Sequence, residues 1–155
     1  MKDIRYRTIP PKDLERIRSL WEELIREAAI RSVDFRYVYE DRKFEDRASE
    51  LRKKADSGKI RIEIAEIDGN DLPVAYCVAT VSSEMAGEID SILVDRNFRG
   101  RGIGSRLVAG ALGWFDRERA SPITIAVAEG NHEAFAFYEK FGFARRLVVM
   151  QRKER

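Results

Sequence analysis

The chain has 155 residues, of which 44% are hydrophobic and 36% are charged, a composition typical of a globular domain with a sizeable core. Its net charge of +2 gives no electrostatic argument for a nucleic-acid partner. No apolar stretch is long enough to span a bilayer and no secretory segment is evident, so we expect no membrane partner. Cys77 is the single cysteine and forms no internal disulfide, which favours a cytoplasmic location.

The first third of the chain predicts one strand and two helices. Alternation over residues 4–7 indicates an opening strand, and the prolines at 10–11 suit the first turn of a helix. A second helix is expected to begin near Phe44 and to stop at Gly58. The irregular segment between the helices is either a loop packed over the core or a lining for a substrate. Its aromatic residues are Phe35, Tyr37 and Tyr39.

The remaining chain predicts a succession of strands with helices near the end. Residues 60–64 alternate between apolar and charged side chains, which indicates a strand with one wet face. Residues 74–81 are apolar throughout, which indicates a central strand and makes Cys77 a buried filler. The further predicted elements are a strand over 88–94, a helix ending near Arg119, a strand over 123–127, a short helix through Tyr138 and a closing strand over 143–150.

A glycine-rich stretch joins the strand over 88–94 to the following helix. Its residues are Arg99, Gly100, Arg101, Gly102, Ile103, Gly104, Ser105 and Arg106. Glycines let a backbone approach an anion closely, and the first amides of a helix attract negative charge, so this stretch predicts a phosphate site. A P-loop needs a lysine after its last glycine, and a dinucleotide loop needs a small residue where Leu107 stands. Both of these alternatives therefore fail on spacing.

A second motif follows the strand over 123–127. It consists of Asn131, Ala134, Tyr138, Gly142 and Phe143 at fixed intervals. Asn131 suits a helix N-cap, because its side chain accepts hydrogen bonds from free amides. The glycine-rich stretch carries the pattern Arg-x-x-Gly-x-Gly. This pattern and the second motif resemble the two conserved motifs of the GNAT family of N-acetyltransferases, and they occur in the same order along the chain as in the family.

The resemblance implies an α/β fold of the α+β type. The family fold is a mixed, mostly antiparallel sheet of about six to seven strands, flanked by about four helices. In the family the sheet splays after the strand that corresponds to 88–94, and coenzyme A enters the resulting cleft. We therefore expect a single acetyltransferase domain over residues 1–155. Dimers formed through sheet edges are common in the family, so the resemblance also implies a possible homodimer.

The resemblance also implies acetyl-CoA as co-substrate, held mainly by the glycine-rich stretch. No metal is expected, because the single His132 has no ligand partner at a suitable spacing. The residues expected to bind the cofactor are Leu93, Val94, Arg99, Gly100, Arg101, Gly102, Ile103, Gly104, Ser105, Arg106, Asn131 and Tyr138.

Acetyl transfer to an amine needs a base, and two carboxylates are candidates. Glu88 stands fourteen positions before Gly102, the spacing at which the histone-acetyltransferase branch of the family carries its catalytic glutamate. Asp90 shares a strand face with Glu88, because side chains two residues apart point the same way. Either carboxylate, acting through a water, is a candidate, and the alternative is that both are ordinary charges at a strand start.

Acetyl transfer also needs a donor that polarises the thioester oxygen and an acid that protonates the departing thiolate. The family strand bulges near Leu93 or Val94, and a free amide there is expected to polarise the thioester oxygen. Tyr138 is the candidate acid that protonates the departing thiolate. His132 and Cys77 lack the partners that nucleophilic catalysis needs.

These residues predict an N-acetyltransferase that moves an acetyl group from coenzyme A to a primary amine by direct transfer in a ternary complex. The amine belongs to a small molecule or to a protein or peptide. The alternative is an acyl-CoA-binding sensor or regulatory module without transfer activity. The presence of Glu88 and Tyr138 favours the enzyme.

Overall fold

A computed structural model describes residues 3–154 and contains one five-stranded sheet. The strands lie in chain order, with antiparallel pairing from β1 to β4 and parallel pairing of β4 with β5. They are β1 (Ile4–Ile9), β2 (Lys59–Ile67), β3 (Ala75–Val81), β4 (Gly87–Val94) and β5 (Ile123–Ile125). The predicted mixed, mostly antiparallel sheet is confirmed.

Five α-helices and two short 3₁₀ helices accompany the sheet in the described part of the chain. The α-helices are α1 (Arg18–Arg31), α2 (Arg36–Glu40), α3 (Phe44–Ser57), α4 (Ile103–Glu118) and α5 (His132–Glu139). The helix predicted at the two prolines begins as the 3₁₀ helix Pro11–Ile17, and the second 3₁₀ helix is Arg96–Phe98. The segment predicted to be irregular contains α2.

Helices α3 and α4 cover opposite faces of the sheet. Every residue of β3 is buried, as its continuous apolar sequence predicted. Helix α3 packs against β2 and β3. On this face Lys54 of α3 and Thr80 of β3 both donate hydrogen bonds to the Asp90 carboxylate of β4. Helix α4 packs with Gly110 against Arg61 and Glu63 of β2. Arg61 is paired with Ala79, and adjacent strand residues such as Ala79 and Thr80 point to opposite faces.

The stop of α3 at Gly58 is confirmed, although the physical reason differs from the predicted one. Gly58 has φ −153°, so it does not supply the left-handed conformation of a typical helix cap. A Cβ at this position would lie 2.2 Å from the carbonyl oxygen of Val81. Glycine is therefore required by the close approach of the two backbones.

The predicted closing strand over 143–150 is wrong. These residues form no helix or strand, and the side chains of Leu147, Val148, Val149 and Met150 are exposed. A run of apolar residues indicates burial, but a strand exists only where a neighbouring strand supplies its hydrogen bonds. The described residues accordingly form five strands instead of six to seven, and five α-helices instead of four.

The described chain divides into two compact units. The first contains residues 3–24 and 43–126, and with them the whole sheet, α3 and α4. The second contains residues 25–42 and 127–154, and with them α2 and α5. The single domain over 1–155 stays a prediction. Within residues 3–154, no helix is long and apolar enough to cross a membrane.

Candidate functional site

The glycine-rich loop forms an open turn between β4 and α4. Gly100 has φ +76° and Gly102 has φ +80°, a left-handed conformation that side chains other than glycine rarely adopt. A Cβ built on either glycine meets no described atom within 4 Å. The loop therefore needs glycine for its backbone conformation, and its outer face is open.

The N-terminus of α4 has no side-chain cap. Gly102 is the N-cap residue, and its carbonyl accepts the first bond of the helix from the Arg106 amide at 3.0 Å. The amides of Ile103, Gly104 and Ser105 precede that bond, so they have no acceptor within the helix. These amides and the dipole of a 16-residue helix make this end a good binding place for an anion.

The arginines predicted to bind phosphate also shape the loop. Arg99 Nε donates to the carbonyl of Val94 at 2.8 Å and ties the end of β4 to the turn. The Arg101 guanidinium lies 5.2 Å from the ring centre of Phe98, and that of Arg106 lies 5.0 Å from the ring centre of Tyr6. Cation–π contacts of this kind hold an arginine side chain in place.

Strand β4 loses its partner on one edge beyond Ile89. The strand β5 pairs with β4 only from Gly87 to Ile89, and residues 90–94 have no ladder with any described strand on that edge. Leu93 and Val94 remain paired with β3 on the other edge. The predicted opening of the sheet at this strand is therefore present, and it leaves backbone groups of β4 available to a ligand.

The predicted bulge near Leu93 or Val94 is wrong in position. The β3–β4 register pairs Val78 with Ser91 but Ala79 with Ile89, so Asp90 is the inserted residue. An inserted residue leaves the ladder locally unpaired and bends the strand. The bulge brings Asp90 and Ser91 to the α3 side, where the Ser91 hydroxyl accepts a hydrogen bond from Tyr76 at 3.1 Å.

The Asp90 carboxylate is fully buried, and both of its oxygens accept hydrogen bonds. Its Oδ2 accepts a hydrogen bond from the Thr80 hydroxyl at 2.7 Å, and its Oδ1 lies 2.5 Å from Lys54 Nζ. Arg47 donates to the backbone carbonyl of Asp90 at 3.1 Å. Burial raises the pKa of the Asp90 carboxyl, while its bonds to Lys54 and Thr80 act in the opposite direction. These contacts make Asp90 the anchor of the bulge.

Glu88 is the more accessible of the two carboxylates. Its side chain is 41% exposed, and its Oε2 accepts a hydrogen bond from Lys54 Nζ at 3.0 Å. The same lysine thus bridges Glu88 and Asp90. Burial lowers the pKa of Lys54, but the hydrogen bonds to Asp90 and Glu88 outweigh it, so the pKa is raised and the lysine keeps its charge. The predicted common side of Glu88 and Asp90 is confirmed.

Sequence reasoning missed Lys54 and Arg47. Both lie on α3 in a region rich in charged residues, where helical charges are usually solvated. The available signal was their seven-residue separation, which places two cations on one helix face. Which strand that face meets is decided only by the packing of α3.

The second motif builds a capped helix in the second unit. The Asn131 side chain accepts a hydrogen bond from the Ala134 amide at 3.3 Å, so the predicted N-cap is confirmed. Tyr138 is buried, with its ring edge-on to Phe137 and Phe143 at centroid distances of 5.1 and 5.9 Å. Gly142 has φ +88°, which explains the glycine of this motif.

Cys77 is a buried core residue, as predicted. Only 1% of its surface is exposed, and burial raises the pKa of its thiol to about 12. A thiol that stays protonated is a poor nucleophile. Its position in β3 therefore makes it part of the packing of the sheet.

Comparison with known proteins places these features in a family. A model described as the acetyltransferase (GNAT) family matches residues 19–143, which include both motifs. The chain belongs to this family. The resemblance drawn from the two motifs is thereby confirmed, and the loop before α4 corresponds to the motif on which that resemblance rested.

Two curated relatives match parts of this GNAT chain. An uncharacterized N-acetyltransferase of Methanocaldococcus jannaschii is 29% identical over 90 residues, which cover 56% of this chain and 40% of the relative. A peptidyl-lysine N-acetyltransferase of Salmonella typhimurium is 33% identical over 96 residues, which cover 56% of this chain and 63% of the relative. The match thus spans less than two thirds of either relative.

A solved structure shares the GNAT fold over nearly the whole chain. The aminoglycoside N-acetyltransferase AAC(6')-Iy, in complex with the bisubstrate analogue CoA-S-monomethyl-acetylneamine, has a TM-score of 0.70. The match covers 98% of this chain and 99% of that chain at 17% identity. At this identity the similarity concerns the fold.

The two carboxylates of the GNAT site are expected to differ in their contribution to stability. Asp90→Ala removes the buried partner of Lys54 and leaves the Thr80 hydroxyl without its acceptor, so the free energy of unfolding should fall by about 3 kcal/mol. The matched change Glu88→Ala removes a partly exposed ion pair and should cost less than about 1 kcal/mol. Urea denaturation of both variants measures this difference, and equal losses would contradict the role of Asp90 as the anchor.

Proposed function

We propose that the protein is an acetyl-CoA-dependent N-acetyltransferase that moves an acetyl group to a primary amine by direct transfer in a ternary complex. The observation that carries this proposal is the loop before α4, where two glycines with positive φ precede an uncapped helix N-terminus. Such an end binds a pyrophosphate without obligatory side-chain ligands. Membership of the family and a neighbour solved with a CoA analogue support the choice of coenzyme A.

The proposed cofactor site begins at the loop and continues along β4. The backbone of 99–106 holds the pyrophosphate, with the amides of Ile103, Gly104 and Ser105 as donors. Leu93 and Val94 lie on the stretch of β4 where no described strand pairs with one edge, although Arg99 already donates to the Val94 carbonyl. Backbone amides on this stretch are suited to hydrogen-bond the pantetheine arm or to polarise the thioester oxygen. Asn131 and Tyr138 are further proposed cofactor residues from the second motif.

Glu88 is the proposed base. An amine with a reference pKa of about 10.4 carries a proton at neutral pH and must lose it before attack. The Glu88 carboxylate is partly exposed and therefore open to an amine or a bridging water. Asp90 is less suited to this role, because its carboxylate is fully buried and both of its oxygens already have partners.

Tyr138 is the proposed acid. The thiolate of coenzyme A leaves as the carbon–sulfur bond breaks, and the Tyr138 phenol donates the proton that the thiolate needs. Neither a covalent enzyme intermediate nor a nucleophilic side chain is required, because the amine attacks the thioester directly.

A binding module without transfer activity is the second candidate. The observation that favours it is the bond between Lys54 and Glu88, which occupies one oxygen of the proposed base. Release of free thiol from acetyl-CoA in the presence of peptides, polyamines and aminoglycosides separates the two functions. Turnover with any of these amines supports the enzyme, and tight acetyl-CoA binding without turnover supports the module.

Cofactor binding is expected to depend on the open face of the loop. Gly102→Val places a β-branched side chain at φ +80° and on the side where the pyrophosphate binds, so acetyl-CoA affinity should fall by roughly tenfold or more. Titration calorimetry measures the affinity. Gly113→Ala is the control, because its Cβ makes only an ordinary 3.5 Å contact within α4 and should leave binding unchanged. Normal affinity in folded Gly102→Val would refute the site.

The base is expected to show itself in the pH dependence of the rate. Glu88→Gln removes the proton acceptor but keeps the shape, so kcat/KM should fall most at neutral pH. The defect should shrink as the pH rises, because the free amine then becomes abundant and a base is needed less. A pH–rate profile of wild type and variant tests this. A ratio that stays constant across the pH range, or a larger defect in Asp90→Asn, would assign the role elsewhere.

The acid is expected to affect turnover and not cofactor binding. Tyr138→Phe keeps the buried ring and its contacts with Phe137 and Phe143 but removes the phenol. We expect kcat to fall by roughly ten- to a thousand-fold, the usual range for a general acid, with unchanged acetyl-CoA affinity. Steady-state kinetics and calorimetry on the same preparation check both statements. Wild-type turnover in the variant would make Tyr138 a packing residue.

A further inference from the structure

We propose that Lys54 is a specificity-determining residue that restricts this site to weakly basic amines, with peptide α-amino groups as the substrate class. The inference rests on the proposed function, since it concerns the amine that Glu88 receives. It starts from one observation: the chain itself supplies a cation to the two carboxylates that would otherwise attract a substrate ammonium.

Lys54 is held in place by α3 and by both carboxylates. Its Nζ lies 3.0 Å from Glu88 Oε2 and 2.5 Å from Asp90 Oδ1. Arg47 lies two turns earlier on the same helix face and donates to the carbonyl of Asp90 at 3.1 Å. All four residues belong to the first unit, whose sheet fixes their separation. Lys54 is therefore a fixed structural component of the candidate site.

The charges of this cluster nearly cancel. Glu88 and Asp90 carry two negative charges, while Lys54 and Arg47 carry two positive ones. Arg47 also pairs with Glu50, at 3.0 Å, but the Glu50 side chain is largely exposed to solvent. A site with compensated charge does not concentrate cations in the way that two bare carboxylates do. A substrate ammonium that approaches the Glu88 carboxylate also approaches the Lys54 ammonium bonded to it, and like charges repel.

An amine that is partly uncharged avoids this competition. A peptide α-amino group has a reference pKa of about 7.7 to 8.0, so roughly one molecule in ten is neutral at pH 7. A lysine ε-amino group, with a reference pKa of about 10.4, is neutral in fewer than about one molecule in a thousand. The first class reaches Glu88 without displacing Lys54, whereas the second must compete with it.

The transfer itself balances with these groups. The amine nitrogen attacks the thioester carbon of acetyl-CoA, the new nitrogen–carbon bond forms and the carbon–sulfur bond breaks. The nitrogen gives its proton to Glu88, and the departing sulfur takes one from Tyr138, so coenzyme A leaves as the free thiol. Lys54 takes no part in these steps and acts by deciding which amine reaches Glu88.

The test compares two peptides of matched composition with each enzyme preparation. One has a free α-amino group and no lysine, and the other has a blocked N-terminus and a single lysine. For wild type at pH 7 we expect kcat/KM to be at least about a hundredfold higher for the α-amino peptide, in line with the difference in neutral fraction. Because both values come from one preparation, loss of folded enzyme cancels from their ratio.

Substitution of Lys54 then identifies the cause. Lys54→Met removes the competing cation, so the preference for the α-amino peptide should shrink at least about fivefold. Lys54→Arg is the matched control, because it keeps the charge and should keep the preference. A lysine with only a structural role would change both rates together and leave their ratio as it was.

Each other outcome overturns the inference. A wild-type enzyme that acetylates the lysine peptide equally well or better has no such preference, and an unchanged ratio in Lys54→Met shows that Lys54 does not cause it. Failure to acetylate either peptide shows that the substrate class is wrong. Free-thiol release from acetyl-CoA with polyamines and aminoglycosides distinguishes this from failure of the proposed function. Turnover with one of these amines upholds the transferase and overturns only the substrate class, whereas the absence of turnover with every amine contradicts the proposed function itself.

Discussion

The buried carboxylate of Asp90 is the constraint on which the candidate site depends. A carboxylate without solvent must be matched by donors, and this one is matched by Thr80 on β3 and by Lys54 on α3. Arg47 on α3 adds a positive charge 3.7 Å from Oδ1 and a hydrogen bond to the backbone carbonyl of Asp90. Satisfying the Asp90 carboxylate fixes the bulge of β4 and the position of α3 across the sheet. Lys54 also donates to Glu88, the proposed base. Asp90 therefore fixes the position of the lysine that holds the Glu88 carboxylate.

The other half of the first unit's chemistry follows from an interruption of the sheet. Strand β5 pairs with β4 over only three residues, and beyond Ile89 no described strand pairs with that edge of β4. The chain leaves β4 through a short 3₁₀ helix and two glycines, and α4 begins with amides that have no acceptor in the helix. The unpaired edge of β4 is thus followed along the chain by the uncapped N-terminus of α4. An extended cofactor with a phosphate at one end and a thioester at the other suits this succession.

Several features of the site were predictable from residue types and spacing because they depend on local backbone chemistry. Gly102 adopts a positive φ, Asn131 caps α5, and Glu88 and Asp90 share one side of β4. The bulge was placed three or four residues too late, because its position depends on the register of β3 against β4 and on the need to satisfy Asp90. The closing strand failed for a related reason: Leu147 and its apolar neighbours have strand-like sequence but no ladder partner.

The sequence by itself determined the family, the order of the strands and of the longer helices through α5 but not α2, the loop that suits a phosphate and the types of the candidate catalytic groups. These follow from short-range spacing, because a turn, a cap or an exposed helix end is formed by residues that are neighbours in the chain. Only the tertiary structure decided that Asp90 is buried, that Glu88 remains accessible and that Lys54 joins them. Their burial and pairing arise from contacts between residues more than thirty positions apart, and no local pattern encodes which side chain of α3 will meet which carboxylate of β4.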